Sequence, residues 1–176
     1  FFIYTLAFTG MEFTLTFLAS DRFNYSPIDN AYLFIFVGFI IVLVQGGIVR
    51  RLAPKYGEIK ICIAGLLLLF PGLVLVGQCQ TEFVLYSGLG LLSVGSALVN
   101  PSMSALVSLY TPTERQGEVL GIFRSLGSLA RATGPIIACT AYWKLGAQWP
   151  YFGAALLLVI PFLLAFSMRT ANQEQP

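Results

Sequence analysis

Six long apolar stretches constrain this chain more than any other feature of its sequence. A transmembrane helix needs about 20 mostly apolar residues. Charged residues make up only 10% of the 176 residues, against about 25% in a typical soluble domain, so the chain cannot cover a water-facing surface. We therefore predict an all-α integral membrane protein in which residues 1–168 form a six-helix transmembrane bundle. The predicted helices are 1–19, 31–49, 61–77, 83–108, 119–142 and 149–168.

The basic residues predict how this bundle is oriented. Cytoplasmic loops are enriched in Lys and Arg, and successive gaps between the predicted helices face alternate sides of the membrane. One side receives Arg50, Arg51, Lys55, Lys60, Arg115 and Arg169, and the other receives Arg22 and Lys144. The side with more basic residues should be cytoplasmic, so both ends of the chain, including a short tail at 169–176, are expected in the cytoplasm. The membrane is expected to be either the plasma membrane or an internal membrane.

The sequence excludes several classes of function. A net charge of +2 does not indicate a nucleic-acid partner, and the chain has no histidine and only 3 cysteines, which are far apart, so we expect no metal site and no cofactor. An intramembrane protease would need paired aspartates, a serine with His or Lys, or zinc ligands. Both aspartates, Asp21 and Asp29, lie in the first loop. We therefore predict that the protein is not an enzyme.

A polar stripe crosses the first predicted helix. Thr5, Thr9, Glu12 and Thr16 are spaced by four, three and four residues, which places them on one helical face. A charged residue at the centre of a membrane helix costs about 3 kcal/mol on insertion scales, so it needs a partner or a water-filled cavity. We interpret the stripe as the lining of a path for water or substrate. The alternative is that the threonines only bond to carbonyl groups of their own helix.

The fifth predicted helix carries a stripe of opposite charge. Arg124, Ser128 and Arg131 are spaced by four and three residues and again share one face. Arg124 is near enough to the cytoplasmic end to extend to the membrane surface, whereas Arg131 lies deeper. One hypothesis is that Arg131 binds an anionic group of a substrate while Glu12 takes up and releases a proton. The other is a structural Glu12–Arg131 ion pair that holds two helices together.

Prolines and small residues mark two of the predicted helices. Pro101 and Pro135 each remove one backbone hydrogen bond, so we expect these helices to be broken and mobile there. Asn100, which precedes Pro101, is included among the predicted path residues. Small residues also recur every seven positions in the fourth helix and form a face on which another helix packs closely. They are Gly88, Gly95 and Ser102. Broken, closely packed helices beside intramembrane charges are typical of a transporter.

Several stretches of the sequence resemble a known family. GGIVRRLAPKYGE resembles the cytoplasmic signature G-x-x-x-D-R-x-G-R-R that follows the second helix of each half of a major facilitator superfamily transporter. Gly46, Arg50, Arg51 and Lys55 fill its glycine and basic positions, although Arg50 stands where the aspartate is expected. The stretches TGMEFTLTFLASDRF, QGGIVRRLAP, GIFRSLGSLARATGP and YWKLGAQ resemble the tetracycline-transporter-like branch of this superfamily along nearly the whole chain.

This resemblance implies a fold and a function. The chain is similar to the C-terminal six-helix half of such a transporter, which implies secondary active transport of amphiphilic organic anions or drugs, by antiport or by proton coupling. The positions carried over are Glu12, Arg50, Arg51, Arg124 and Arg131. The resemblance also implies a partner, the N-terminal six-helix half, because the central cavity forms between the two halves. Since the chain begins without Met, we expect it to be a fragment.

We predict from these observations that the chain is half of a transporter that moves a small organic anion across a lipid bilayer. Two alternatives stay open. In the first, the chain is a homodimeric half transporter, which needs a second copy of itself. In the second, it is a non-transporting remnant half that acts as a membrane scaffold.

Overall fold

Helices and the short connections between them make up the part of the chain that the structure describes. The computed structural model describes residues 1–171, with side chains described through residue 168. The elements are α1 Phe2–Phe23, α2 Pro27–Leu43, a π-helical turn Val44–Val49, α3 Arg50–Tyr56, α4 Glu58–Gln78, α5 Glu82–Leu109, a 3₁₀ turn Thr113–Arg115, α6 Gln116–Leu145 and α7 Trp149–Ala171. Residues 1–171 contain no strand, so the predicted all-α class is confirmed. Residues 172–176 of the predicted tail lie outside the described residues.

Five helical segments in the described residues are long and apolar enough to cross a membrane. They are Phe2–Phe23, Pro27–Tyr56, Glu58–Gln78, Glu82–Leu109 and Trp149–Met168. The remaining long helix, α6, has 30 residues, which is ample length for a span. It is less apolar because it contains Arg124 and Arg131 as well as charged residues near both ends. The number of six membrane spans therefore stays a prediction, because it depends on whether α6 crosses the membrane.

Short capping sequences fix where the helices begin and end. The Ser26 hydroxyl accepts a bond from the Asp29 backbone N–H, and the Asp29 carboxylate accepts one from the Ser26 N–H over 2.9 Å, which is a capping box at the start of α2. Pro27 occupies the first turn, where its missing N–H costs nothing. Gly57 (φ +80°) and Gly146 (φ +113°) adopt backbone conformations that other residues rarely adopt, and they separate α3 from α4 and α6 from α7.

The closest helix pair, α4 with α5, meets through glycine. A Cβ at Gly65 would lie 2.8 Å from the carbonyl oxygen of Gly95, and a Cβ at Gly95 would lie 2.8 Å from the carbonyl oxygen of Gly65. Gly72 and Gly88 make equally close approaches on the same two helices. Ser102, which continues the same face, is 0% exposed. The predicted small-residue face of the fourth helix is therefore confirmed, and its partner is α4.

A second close pair, α1 with α6, completes the frame of the bundle. A Cβ at Gly134 would lie 2.7 Å from the Thr9 hydroxyl and 2.8 Å from the carbonyl oxygen of Leu6. Helix α7 packs against both α4 and α1, whereas α2 packs mainly against α5. The central side chains are almost fully buried and come from four of these helices. They are Tyr4, Leu15, Leu18, Leu66, Leu69, Val76, Leu85, Leu89 and Tyr151.

The prolines do not break their helices. Helix α5 continues through Pro101 and α6 continues through Pro135, so the prediction of broken helices was wrong. Proline removes one bond of the helical ladder, and the bonds on either side, together with packing against neighbouring helices, maintain the rest. The irregular backbone lies instead in the π-helical turn Val44–Val49, just before the basic residues of α3.

The glycine contact makes a prediction about stability. Gly95→Ala should lower the free energy of unfolding by about 1–3 kcal/mol because the new methyl group meets a backbone oxygen that cannot move aside. Gly90→Ala is the matched control on the same helix, since nothing lies within 4 Å of its Cβ position. It should be neutral or slightly stabilising. Unfolding of the purified protein in mixed detergent micelles measures the free energy of unfolding of both variants. Equal changes would show that the contact between Gly65 and Gly95 does not determine how closely α4 and α5 pack.

Candidate functional site

Helices α1 and α6 run side by side in the same direction. The Cβ position of Gly127 lies 2.7 Å from the Phe1 ring, and that of Gly10 lies 2.8 Å from the Cβ of Ala138, so both helices advance toward the same end of the bundle. Each of the two helices leaves stripe residues that neighbouring helices do not fully cover. We call this set of residues the open face. It consists of Glu12, Thr16, Arg124, Ser128 and Arg131, which are exposed except for half-buried Thr16.

Two of the four stripe residues on α1 do not reach the open face. Thr5 and Thr9 are 6% and 8% exposed. The Thr9 hydroxyl donates to the Thr5 carbonyl oxygen over 2.7 Å and packs against Gly134 of α6. Thr9 therefore behaves as in the alternative interpretation, in which the threonines bond to carbonyl groups of their own helix, whereas the buried Thr5 hydroxyl has no hydrogen-bond partner among the described residues. Glu12 and Thr16 are the stripe residues of α1 for which a place in the path stays a prediction.

Glu12 lies at the edge of a small apolar cleft. The cavity has a volume of about 70 Å³ and lies between α1, α2 and α5. Its other lining residues include Phe8, Phe34, Leu92 and Ser93. Among residues 1–168 the one salt bridge is Arg115–Glu118, so Glu12 has no cationic partner there. A carboxylate in such surroundings is stable only in contact with water or in its protonated form, which suits a group that exchanges protons.

Arg131 points away from Glu12. Its Nη1 lies 3.5 Å from the Cβ position of Gly127, beside Phe1, and its Nη2 donates to the Ser128 hydroxyl over 3.5 Å. Phe1 and Glu12 are eleven residues apart, which is about 16 Å along a helix. The structure does not form the Glu12–Arg131 ion pair, because side chains on a helix lean toward its N-terminus. This direction carries the guanidinium toward the cytoplasmic end of the predicted topology.

Asn100, another predicted path residue, belongs to a third helix. It is exposed on α5 and adjoins the hydroxyl of Tyr4 on α1. Tyr4 is 1% exposed, and its hydroxyl has no hydrogen-bond partner among the described residues. Sequence reasoning missed Tyr4, because a single tyrosine in an aromatic-rich helix does not show whether its hydroxyl has a partner. The structure thus places one unsatisfied buried hydroxyl directly behind a predicted path residue.

The residues of the cytoplasmic motif lie elsewhere, at the connection between α2 and α4. Gly46 belongs to the π-helical turn and has open space at its Cβ position. Arg50, Arg51 and Lys55 are exposed on α3, and the Lys55 ammonium lies 5.2 Å from the centre of the Tyr56 ring. These cations are therefore brought together with one another but not with the open face.

One polar cluster at the opposite end was not predicted as a site. Arg22, near the end of α1, donates to the carbonyl oxygen of Cys79 and, over 3.0 Å, to that of Gly77. The adjacent Asp21 accepts a bond of 2.6 Å from the Tyr142 hydroxyl of α6. The sequence assigned Arg22 only to a loop. The visible signal was a pair of opposite charges directly after an apolar stretch, but their partners lie at least 55 residues away.

No metal-binding arrangement of His, Cys, Asp and Glu side chains occurs within the described part of the chain. Its cysteines are free: Cys62 and Cys79 are buried, and Cys139 is half-buried.

Comparison with known proteins identifies the family. The model of the Major Facilitator Superfamily matches residues 1–135, which is more than half of the chain. The chain belongs to the major facilitator superfamily. It is therefore an integral, multi-pass membrane protein of a family of transporters, and the prediction that it is not an enzyme is confirmed. The predicted resemblance to this superfamily is confirmed as well.

Individual relatives agree with this assignment. Major facilitator superfamily domain-containing protein 10 of mouse is 37% identical over 169 residues, which cover 96% of this chain and 37% of the mouse protein. The crystal structure of the human organic anion transporter MFSD10 (TETRAN) superposes with a TM-score of 0.89 at 38% identity, over 93% of this chain and 38% of that one. The class C tetracycline resistance protein of Escherichia coli is 27% identical over 143 residues, 79% of this chain and 36% of its own length.

These comparisons also define how much of a superfamily transporter is present. The chain spans little more than one third of the length of the mouse and human relatives that it matches.

The positions of the threonines on α1 make a prediction about accessibility. In the full-length gene product, a cysteine introduced by Thr16→Cys should react with a small water-soluble maleimide, whereas one introduced by Thr9→Cys should not, because Thr9 is packed against Gly134. Mass spectrometry of the labelled peptides distinguishes the new thiols from the native ones. Equal reactivity at both positions would contradict the assignment of the open face.

Proposed function

We propose that this chain forms one six-helix half of a secondary active transporter that moves amphiphilic organic anions, and that the open face lines the transport path. The observation that carries the proposal is a set of exposed charges on α1 and α6 that have no salt-bridge partner among residues 1–168, in a chain that is 38% identical to a human organic anion transporter. Each such charge is costly inside a bilayer unless it has a partner or contacts water. Their exposure therefore favours a water-filled cavity that both helices line.

Arg131 is the proposed anion-binding residue. Its guanidinium has no carboxylate partner among residues 1–168, and within its own stripe it reaches only the Ser128 hydroxyl. A free planar guanidinium binds carboxylate, sulfonate or phosphate groups with two parallel hydrogen bonds. Arg124, two stripe positions closer to the predicted cytoplasmic end, attracts the same anion electrostatically, and Asn100 and Thr16 supply neutral hydrogen-bonding groups along the path.

Glu12 is the proposed coupling residue. It lies about 16 Å from the level of the Arg131 guanidinium, so the two groups do not neutralise each other directly. They face the same cavity, however, and a charged Glu12 repels an anionic substrate across a medium of low dielectric constant. Protonation of Glu12 removes this repulsion and favours anion binding. The proposed coupling is therefore co-transport of a proton with the anion. In the alternative, an anion antiporter, the arginines alone would bind the anions and Glu12 would have no coupling role.

The rest of the cavity requires a second bundle. Both α2 and α6 present apolar side chains that this chain leaves uncovered. They include Ile35, Phe39 and Val42 on α2, and Ile122, Leu129 and Ile136 on α6. Since the chain spans about a third of its relatives, the proposed partner is an N-terminal six-helix half rather than a second copy. In this arrangement both chain ends and the cations Arg50, Arg51 and Lys55 lie on the cytoplasmic side.

The coupling role of Glu12 is tested by removing its charge. Glu12→Gln in the full-length gene product should preserve expression but abolish the pH dependence of p-aminohippurate uptake, because the amide mimics a permanently protonated carboxyl. Glu114→Gln is the control, since Glu114 is exposed outside the long helices. Unchanged pH dependence in Glu12→Gln, with transport intact, would assign the coupling to another residue or leave an anion antiporter.

The binding role of Arg131 is tested by charge and shape together. Arg131→Ala should raise the KM for p-aminohippurate about tenfold or more, which is the loss expected for a charge-assisted hydrogen bond, with little change in surface expression. Arg131→Lys should recover part of this loss, because it restores the charge but not the planar group. Lys60→Ala controls for net charge. A loss of expression without a change in KM would indicate a structural role instead.

A further inference from the structure

The end of α1 opposite the predicted cytoplasmic side is tied to two other helices by consecutive residues. Arg22 bonds to the carbonyl oxygens of Gly77 and Cys79, which belong to the last turn of α4 and the residue after it. Such carbonyls have no partner within their own helix and carry the negative end of the helix dipole. Asp21 accepts from Tyr142 on α6. One dipeptide therefore links α1 to α4 on one side and to α6 on the other.

The bonds of Asp21 and Arg22 are hydrogen bonds to neutral groups rather than salt bridges. Asp21 and Arg22 carry opposite charges, yet neither forms a salt bridge within residues 1–168. Each uses a neutral partner, and Asp21 is exposed to solvent. A hydrogen bond between a charged and a neutral group contributes modestly to stability when water competes for both. Water can therefore take the place of these partners, so the three bonds can open locally while the rest of the bundle stays folded.

Cys79 lies under this cluster and reports on its state. The residue is 0% exposed, and its sulfur lies 3.6 Å from the Arg22 Nη1. It nevertheless borders an open cleft of about 700 Å³ that also includes Arg22, Gln80, Gln148 and Phe152. Burial raises the pKa of the Cys79 thiol, and the Arg22 guanidinium offsets part of this rise. A reagent can therefore enter the cleft, but the sulfur stays covered while Arg22 is in place.

We propose that Asp21 and Arg22 form a releasable latch that closes the non-cytoplasmic end of the bundle, and that its local opening uncovers Cys79. The use of this opening to admit or release substrate rests on the proposed function. The latch itself does not, since it is defined by contacts within this chain. Its neighbours support a local rather than global motion: Gly77 packs against Tyr151 of α7, with 3.0 Å between its Cβ position and the Tyr151 Cβ, so α4 and α7 stay together when Arg22 moves.

The latch is tested by the rate at which N-ethylmaleimide modifies Cys79 in the purified full-length gene product, read by mass spectrometry of the peptide. Arg22→Gln should increase this rate about tenfold, the equivalent of about 1.4 kcal/mol, and Tyr142→Phe should increase it less. Arg22→Lys should fall between wild type and Arg22→Gln. Lys144→Gln is the matched control, because it removes an exposed positive charge at the same end.

Cys62 provides an internal standard in every sample. It is a thiol within α4, 1% exposed, and it lies far from the latch along that helix. A faster reaction at Cys79 with no change at Cys62 supports the latch. Equal acceleration at both thiols would mean that Arg22 only stabilises the fold, and an unchanged rate at Cys79 would mean that the bonds do not cover it; either result overturns the proposal. If Arg22→Gln does not fold, Tyr142→Phe, which removes a single hydroxyl, decides by the same comparison. No substrate is present in these reactions, so a failure of the transport proposal would leave their outcome unaffected.

Discussion

The bundle depends on backbone-to-backbone approach at glycine. In a bilayer the lipid tails are as apolar as the side chains, so the hydrophobic effect does not drive helices together, and close packing has to do so. Gly65 faces Gly95 across α4 and α5, and Gly10 faces the Gly134 backbone across α1 and α6. These two contacts fix the distance and the rotation of both pairs. The exposure of Glu12 on α1 and of Arg131 on α6 follows from the rotation of that pair.

The two ends of the bundle carry different polar groups. At the predicted non-cytoplasmic end, Arg22, Asp21 and Tyr142 bond across three helices, although the nearby Tyr151 hydroxyl is buried without a partner among the described residues. Toward the other end, the hydroxyls of Tyr4 and Ser102 are buried without partners there, and Arg124 and Arg131 are exposed. Unsatisfied polar groups are costly in a membrane, and the exposed arginines add to this cost at the predicted cytoplasmic end.

Much of the fold follows from local sequence rules. Long apolar stretches predict the helices, and the repeat of Gly88, Gly95 and Ser102 predicts a packing face, because both depend only on neighbouring residues. The site is harder. Spacing places Thr9 and Glu12 on one face of α1, but it does not show that α6 covers the threonine and leaves the carboxylate free. Spacing also ignores the lean of side chains toward the helix N-terminus, which separates Arg131 from Glu12. The partners of Arg22 are set by tertiary packing and have no local signal.

The bonds made by Asp21 and Arg22 also restrict how α1 turns about its own axis. Consecutive helical residues point in directions about 100° apart, and here each is held by a different helix. A rotation of α1 that relaxes one bond displaces the other, whereas a small tilt disturbs both far less. Glu12 lies ten residues earlier on the same continuous helix, so its direction depends on these bonds as well as on the contact of Gly10 with α6. Release of the far end would remove one of these two restraints on the direction of the carboxylate.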